Sequence, residues 1–322
     1  MRFRTEFIST PSPLPIDPEV SALLLGSCFS DNIGDRMRQC RWDARVNPCG
    51  VLYNPFSIAR VIRLALGDAD MVRSVQTSLT TDRGIWNSWL CDSSAASDSA
   101  ETTAAKVTAG IGSLSSSLAE AGVLIVTFGT AWIYELADNP GYVVANCHKR
   151  PASSFVRRRL SVQEIVDVWR GLLKELCAAY PDLRVILTVS PVRHLKDGFE
   201  GNSRSKAVLL LACERLYSEF PFAEYFPAYE IVTDDLRDYR FYADDLVHPS
   251  AEAVEYVWEK FLDRFVSPES RRVLEEGEAI TRALGHRPLI DGCMAAADMQ
   301  EHHRMKTEER LGAFREKHPG ML

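Results

Sequence analysis

The chain has 322 residues, 46% hydrophobic and 25% charged, the balance of a globular protein with one substantial core. A formal net charge of -7 gives no reason to expect a nucleic-acid partner. Residues 1–20 carry Pro11, Pro13, Pro15 and Pro18 in place of an apolar core, so no signal peptide is expected, and no apolar run is long enough to span a bilayer.

Ser21 to Leu25 reads as a buried strand ended by Gly26, with a helix following from about Ser30 on Phe29, Ile33 and Met37. Pro55 to Leu66 reads as a second helix, through Ile58, Ile62 and Leu66. Arg83 to Leu90 suggests a short strand or ordered loop, and the Ser-rich stretch 93–103 an exposed loop before a helix over about 104–120. Gly122 to Phe128 is the clearest buried strand, and Tyr142 to Asn146 a further candidate. The run Arg157, Arg158, Arg159 reads as a solvated loop in preference to a phosphate or nucleic-acid patch, since one triplet is not a basic face, and it precedes an amphipathic helix over Ser161 to Tyr180. The strand Leu183 to Ser190 follows, then a helix over about Lys206 to Phe220 and an extended segment over Tyr225 to Val232. The last core helix sets Val254, Val257, Trp258, Phe261 and Phe265 on one stripe. This alternation predicts an α/β fold whose mostly parallel sheet is covered by helices. From about Ser267 the chain turns highly charged, and two helices broken near Pro288 or Gly292 are expected to pack on the core or serve self-association. The division is therefore 1–266 and an appended helical segment over 267–322. Eight scattered cysteines, without a CxxC pair or metal-like spacing, point to reduced thiols, no metal and a cytoplasmic location.

Three places could carry chemistry. Gly26-Ser27-Cys28 lies where a strand stops and a helix starts, which in an open α/β sheet opens on the ligand crevice. A hydroxyl there can act as nucleophile, although serine is also a preferred helix cap. Neighbouring side chains point apart, so Ser27 and Cys28 do not share the crevice, and Cys28 is read as a buried, inert thiol. Asp245 and His248, three residues apart before the last core helix, can form the carboxylate–imidazole pair that activates a hydroxyl. Both can equally be polar groups at a helix start. Oxyanion donors can come from Asn47-Pro-Cys-Gly50 and from Gly129-Thr130, though each is also ordinary turn chemistry. Asn146 ends the Tyr142–Asn146 segment, His148 follows it and His194 ends a strand; either histidine can contact substrate, though one hydrogen-bonded into a turn is the commoner outcome, while Lys149 and Arg193 can bind a carboxylate or phosphate or pair with acidic neighbours. Adjacent His302 and His303 read as a solvated face.

Leu25-Gly-Ser-Cys-Phe29 resembles the signature of the GSCFA domain family, a branch of the SGNH/GDSL hydrolases. The likeness runs through Asn47–Pro55, Phe128–Glu135, Val144–Lys149, Val189–His194, Asn202–Lys206, Tyr225–Glu230 and Leu236–Pro249, covering residues 4–265. It implies a three-layer, flavodoxin-like SGNH fold, with Ser27 as nucleophile, Asp245 and His248 as its base pair and Gly50 in the oxyanion hole. The superfamily's third-block asparagine is absent from Gly129-Thr130-Ala131-Trp132, so Thr130 or Asn146 is expected in its place. The implied activity is that of an esterase or acyltransferase working through an acyl-enzyme on Ser27. Its substrate would be an O-acyl, for instance O-acetyl, carbohydrate or small-metabolite ester, with no cofactor, no nucleic acid and no membrane. The tail lies outside the resemblance, and its helices leave a homo-oligomer open. The missing asparagine leaves a second reading, a ligand-binding or scaffold protein that keeps the fold with little catalysis.

Overall fold

The computed structural model describes residues 4–67, 71–285 and 294–322. Strand β1 (Ala22–Gly26) enters helix α1 (Cys28–Gln39), and β2 (Ala44–Val46) and α2 (Pro55–Ala65) follow. Next come α3 (Met71–Ser78), a hairpin of β3 (Leu79–Asp82) and β4 (Ile85–Ser88), and α4 (Ala100–Glu120). The chain continues through β5 (Val123–Phe128), β6 (Trp132–Leu136), β7 (Asn139–Val144), β8 (Phe155–Arg159), α5 (Val162–Ala179), β9 (Arg184–Val189) and α6 (Gly198–Glu219). It closes with β10 (Ala223–Phe226), the single turn α7 (Ala228–Glu230), α8 (Ala251–Phe265), α9 (Pro268–Leu284) and α10 (Met294–Lys317).

Five strands form one parallel sheet in the order β10-β9-β5-β1-β2. Counted within the sheet this is the 2-1-3-4-5 succession of flavodoxin-like folds, as expected. Period-two alternation splits the central strands between two cores. Leu23, Leu25, Leu124, Val126, Val185 and Leu187 face α2, α4, α5 and α6. Ala22, Leu24, Val123, Ile125 and Ile186 face α1, α8 and α9. The result is three layers, and the strand order reverses between β1 and β5. At such a reversal the flanking loops diverge to opposite sides and leave a crevice at the strands' carboxyl ends.

Several elements differ from the sequence expectation. Helix α1 starts at Cys28, ahead of Ser30, because Ser27 supplies its cap. Helix α4 begins at Ala100, with Ser99 capping it, so part of the Ser-rich loop is a helix start. Helix α6 begins at Gly198, eight residues earlier than its apolar pattern suggested. The Tyr225–Val232 stretch is extended only to Phe226 and then coils into α7 and a π-turn over Ile231–Leu236. Arg157, Arg158 and Arg159 form part of β8, in a second, antiparallel sheet of order β7-β6-β8. There Arg158 pairs with Glu135 and Glu164, and Arg157 with Asp197, so the run is a strand with two of its three arginines ion-paired.

Of the C-terminal segment, Leu274, Ile280, Phe314 and Met321 belong to the same apolar cluster as α1 and α8. Arg36 of α1 reaches Glu278, and His318 reaches Glu19. The break expected near Pro288 or Gly292 lies outside the described residues. Among the described residues, seven cysteines are free and no helix is long and apolar enough to cross a membrane.

Candidate active site

The β1–α1 turn is fixed by a glycine. Gly26 has φ +129, and a Cβ on it would lie 2.1 Å from the Thr127 carbonyl oxygen of β5. Only glycine lets the chain leave the sheet at so close an approach. Ser27 follows in extended conformation, its amide donating to the Thr127 carbonyl (3.2 Å). Its hydroxyl accepts the Phe29 amide (3.3 Å), and the side chain is 1% exposed. An N-cap oxygen must turn back over the helix end to meet those amides. The expected nucleophile is therefore held as a cap, and it does not line the cleft described next. Cys28, the first residue of α1, takes the opposite direction. It is partly exposed and forms part of the cleft wall. The expectation that only one of the two neighbours faces the crevice holds, with their places exchanged.

That cleft, of about 440 Å³, lies at the carboxyl ends of β1, β5 and β9. Besides Cys28 it is walled by Tyr53, Asn54 and Thr130, by Trp132 and Tyr134 of β6, by Asn146 and Cys147, by Arg157 of β8, by the 192–197 segment and by His248. Its volume is that of a site for a small organic ligand.

His248 is presented by a loop that folds on its own carboxylate. Asp245 Oδ1 accepts the amides of Val247 (2.9 Å) and His248 (3.0 Å), and Oδ2 lies 2.7 Å from His248 Nδ1. The backbone amide and ring N–H of His248 hold the Asp245 carboxyl down to about 2. It is therefore ionised at neutral pH and can only accept, so Nδ1 carries the proton and Nε2 is left as the basic nitrogen. Arg193 N–H donates to the Val247 carbonyl (3.2 Å), tying this loop to the end of β9.

Burial, and then Asp31, raise the Cys28 thiol above its ordinary pKa, while Lys206 and the first amides of α1 pull it back. The resting group is thus a thiol that needs a base. Lys206 is 1% exposed beneath the cleft floor and donates to the carbonyls of Gly129 (2.7 Å) and Ser190 (2.6 Å). Burial lowers it to about 7.

The remaining expected residues separate into two groups. Thr130, Asn146 and His194 line the cleft. Burial lowers His194 to about 4, so it stands neutral, edge-on to Tyr53. The Asn146 side-chain oxygen accepts the His148 amide (2.8 Å), while its amide nitrogen has no partner among the described residues. Gly129 does not supply the expected donor, because its N–H and that of Thr130 both go to the Tyr53 carbonyl (2.8 and 3.0 Å). Gly50 closes a turn onto Asn47 (2.8 Å) and packs against Asp92, away from the cleft. His148 is likewise outside: Nε2 lies 2.8 Å from the Ser88 carbonyl and the ring packs on Trp89. The amide of Cys28 itself, at the first helical position, has no intrahelical acceptor.

Of the groups at or beneath this cleft, sequence reading sets Cys28 aside as an inert thiol, reads Arg157 as part of a solvated loop, and does not single out Lys196 or Lys206. The strong preference of serine for N-cap positions was the available signal for Cys28. Arg157 comes into place only through the second sheet, Lys196 through the β9–α6 loop and Lys206 through α6.

A family model described as the GSCFA family matches residues 21–261. No curated protein matches the chain. Among solved structures, the chain is similar to the crystal structure of a carbohydrate esterase family 3 from Talaromyces cellulolyticus. The match has 8% identity and TM-score 0.36, covering 80% of this chain and 99% of that one. At that identity and overlap it says nothing of this chain's substrate.

Proposed function

Because the chain belongs to the GSCFA family, and Cys28, Thr130, Asn146, His194 and His248 line one crevice, we propose that it is an acyl-transfer enzyme acting on an ester. The nucleophile is the thiol of Cys28, and His248, oriented by Asp245, is the general base. The observation that carries this reading is that Cys28 and His248 wall the same cleft while the Ser27 hydroxyl is turned into the helix cap.

The steps follow from the groups present. An ester carbonyl seats beside Cys28 with its oxygen toward the Cys28 amide. His248 Nε2 takes the thiol proton as sulfur attacks, and the imidazolium is stabilised by the Asp245 carboxylate. The tetrahedral oxyanion collapses, the C–O bond breaks, and the leaving alkoxide takes the proton from Nε2. An alcohol departs and a thioester remains on Cys28. Water or an acceptor hydroxyl then loses its proton to Nε2, attacks the thioester and releases the acid or new ester with the thiol restored. In this reading Asn146, which lines the cleft and whose side-chain amide nitrogen has no partner among the described residues, joins the Cys28 amide in holding the oxyanion. An O-acetyl carbohydrate or small-metabolite ester suits the cleft's size.

Turnover of short p-nitrophenyl esters by the wild type, Cys28→Ala and His248→Ala tests the proposal. Both substitutions should reduce kcat by at least about a hundredfold. A wild type without activity toward any ester, or a Cys28→Ala protein as active as the wild type, would remove it.

A further inference from the structure

Among the described residues, one wall of the cleft gathers more positive charge than its carboxylates match. Arg157 of β8 and Lys196 of the β9–α6 loop come from separate elements, yet both lie over the ring of Tyr134, at 5.3 and 5.4 Å from its centroid. Lys196 also donates to the Tyr134 hydroxyl (2.9 Å). Arg157 stacks on Trp132 at 4.3 Å and pairs with Asp197, the one carboxylate lining the cleft among the described residues. Its Nε is buried without a hydrogen-bond partner among the described residues. Arg193, on the His248 side, lies between Tyr239 (5.0 Å) and Tyr242 (4.1 Å). Neither Arg193 nor Lys196 has an ion-pair partner among the described residues.

Holding cations together is unfavourable unless something offsets their repulsion. Here the chain carries 44 acidic residues against 37 Lys and Arg, so an excess of cations on the cleft wall runs against the protein's overall charge. The aromatic faces beneath these cations offset part of the cost and fix their direction, while Asp197 answers only Arg157. What is left is a wall of N–H donors, on the exposed Lys196 and the half-buried Arg157, with net positive charge opening beside Cys28.

We propose that this wall is an anion subsite, and that the ester processed here carries an oxyanion group, a carboxylate or a phosphate, near its scissile bond. Lys196 and Arg157 hold that group, and Arg193 adds to the field from across the cleft. The substrate class rests on the acyl-transfer reading. The anion site itself does not.

Two measurements separate these claims. The first compares alkylation of Cys28 by iodoacetate, an anion, and by neutral iodoacetamide, read by peptide mass spectrometry on the full chain. The ratio of the two rates should exceed that of free cysteine by about fivefold. It should fall toward the free-cysteine value in Lys196→Gln, while Lys174→Gln, which removes the same charge from the exposed face of α5, keeps it. The second compares kcat/KM for p-acetoxybenzoate, p-acetoxyphenyl phosphate and the neutral methyl ester of p-acetoxybenzoate. The anionic esters should be preferred, and the better of the two identifies the group. An iodoacetate preference without any ester turnover keeps the anion site and removes the acyl-transfer reading. Turnover of charged and neutral esters alike, with no iodoacetate preference, does the reverse. If neither reagent reaches Cys28, the subsite is overturned, since a ligand on this wall would have no path to the thiol.

Discussion

Asp245 holds His248 at both ends of the same residue: one carboxylate oxygen accepts its backbone amide at 3.0 Å, the other meets its Nδ1 at 2.7 Å. The residue that builds the loop therefore also sets the tautomer. A carboxyl held down to about 2 cannot donate, so the imidazole offers Nε2 toward any proton the site must move.

Asp245→Asn separates these two duties. The amide oxygen can still accept the loop amides, so the melting temperature should change little. The imidazolium loses its counter-charge and the tautomer is no longer enforced, so kcat should fall by about a hundredfold or more at neutral pH. KM should move far less. Steady-state kinetics beside a thermal melt checks this, and a kcat within twofold of wild type would show that the pair does no chemistry.

Ser27→Ala tests the assignment of the serine as a cap. Loss of the bond to the Phe29 amide should cost about 1 kcal/mol in urea unfolding. Ester turnover should persist, since the cleft wall is unchanged. A protein of undiminished stability with abolished turnover would reverse the roles given to Ser27 and Cys28.

Lys206 makes stability depend on pH. Folded, it releases its proton near 7; unfolded, it holds it to the ordinary 10.5. Between those values the unfolded state binds more protons, so the wild type gains stability as pH rises through that window. Lys206→Met lacks the titrating group and should lose this gain, although the two carbonyls left without their donor lower its stability at every pH. Urea unfolding of both proteins at about pH 7 and about pH 9.5 gives the comparison. An identical pH dependence in the two would mean that Lys206 does not titrate there.

The central architecture was legible because its strands alternate cleanly. Leu23 and Leu25 face one core, Ala22 and Leu24 the other, and β5 and β9 repeat the pattern. The Asp245–His248 pair was legible for a local reason, a three-residue spacing that one turn can close. What sequence reading lost depended on longer range. The second sheet pairs β6 with β7 and β8, and its arginine strand looked like a solvated run because the partners Glu135 and Asp197 lie far along the chain. The expected glycine donors failed for a similar reason. The Gly129 and Thr130 amides are both taken by Tyr53, an acceptor more than seventy residues away whose carbonyl no local pattern points to. The choice between Ser27 and Cys28 turned on one residue of helix phase: with α1 starting at Cys28, the serine became a cap and the thiol the outward group.

The most direct measurement is the site of the acyl group. The full chain, mixed with an activated acetyl ester and quenched within a turnover, should carry the acetyl group on Cys28 by peptide mass spectrometry. The adduct should be released by neutral hydroxylamine as a thioester is, and it should be absent from Cys28→Ala. An acetyl group found on Ser27, stable to that treatment, would contradict the account.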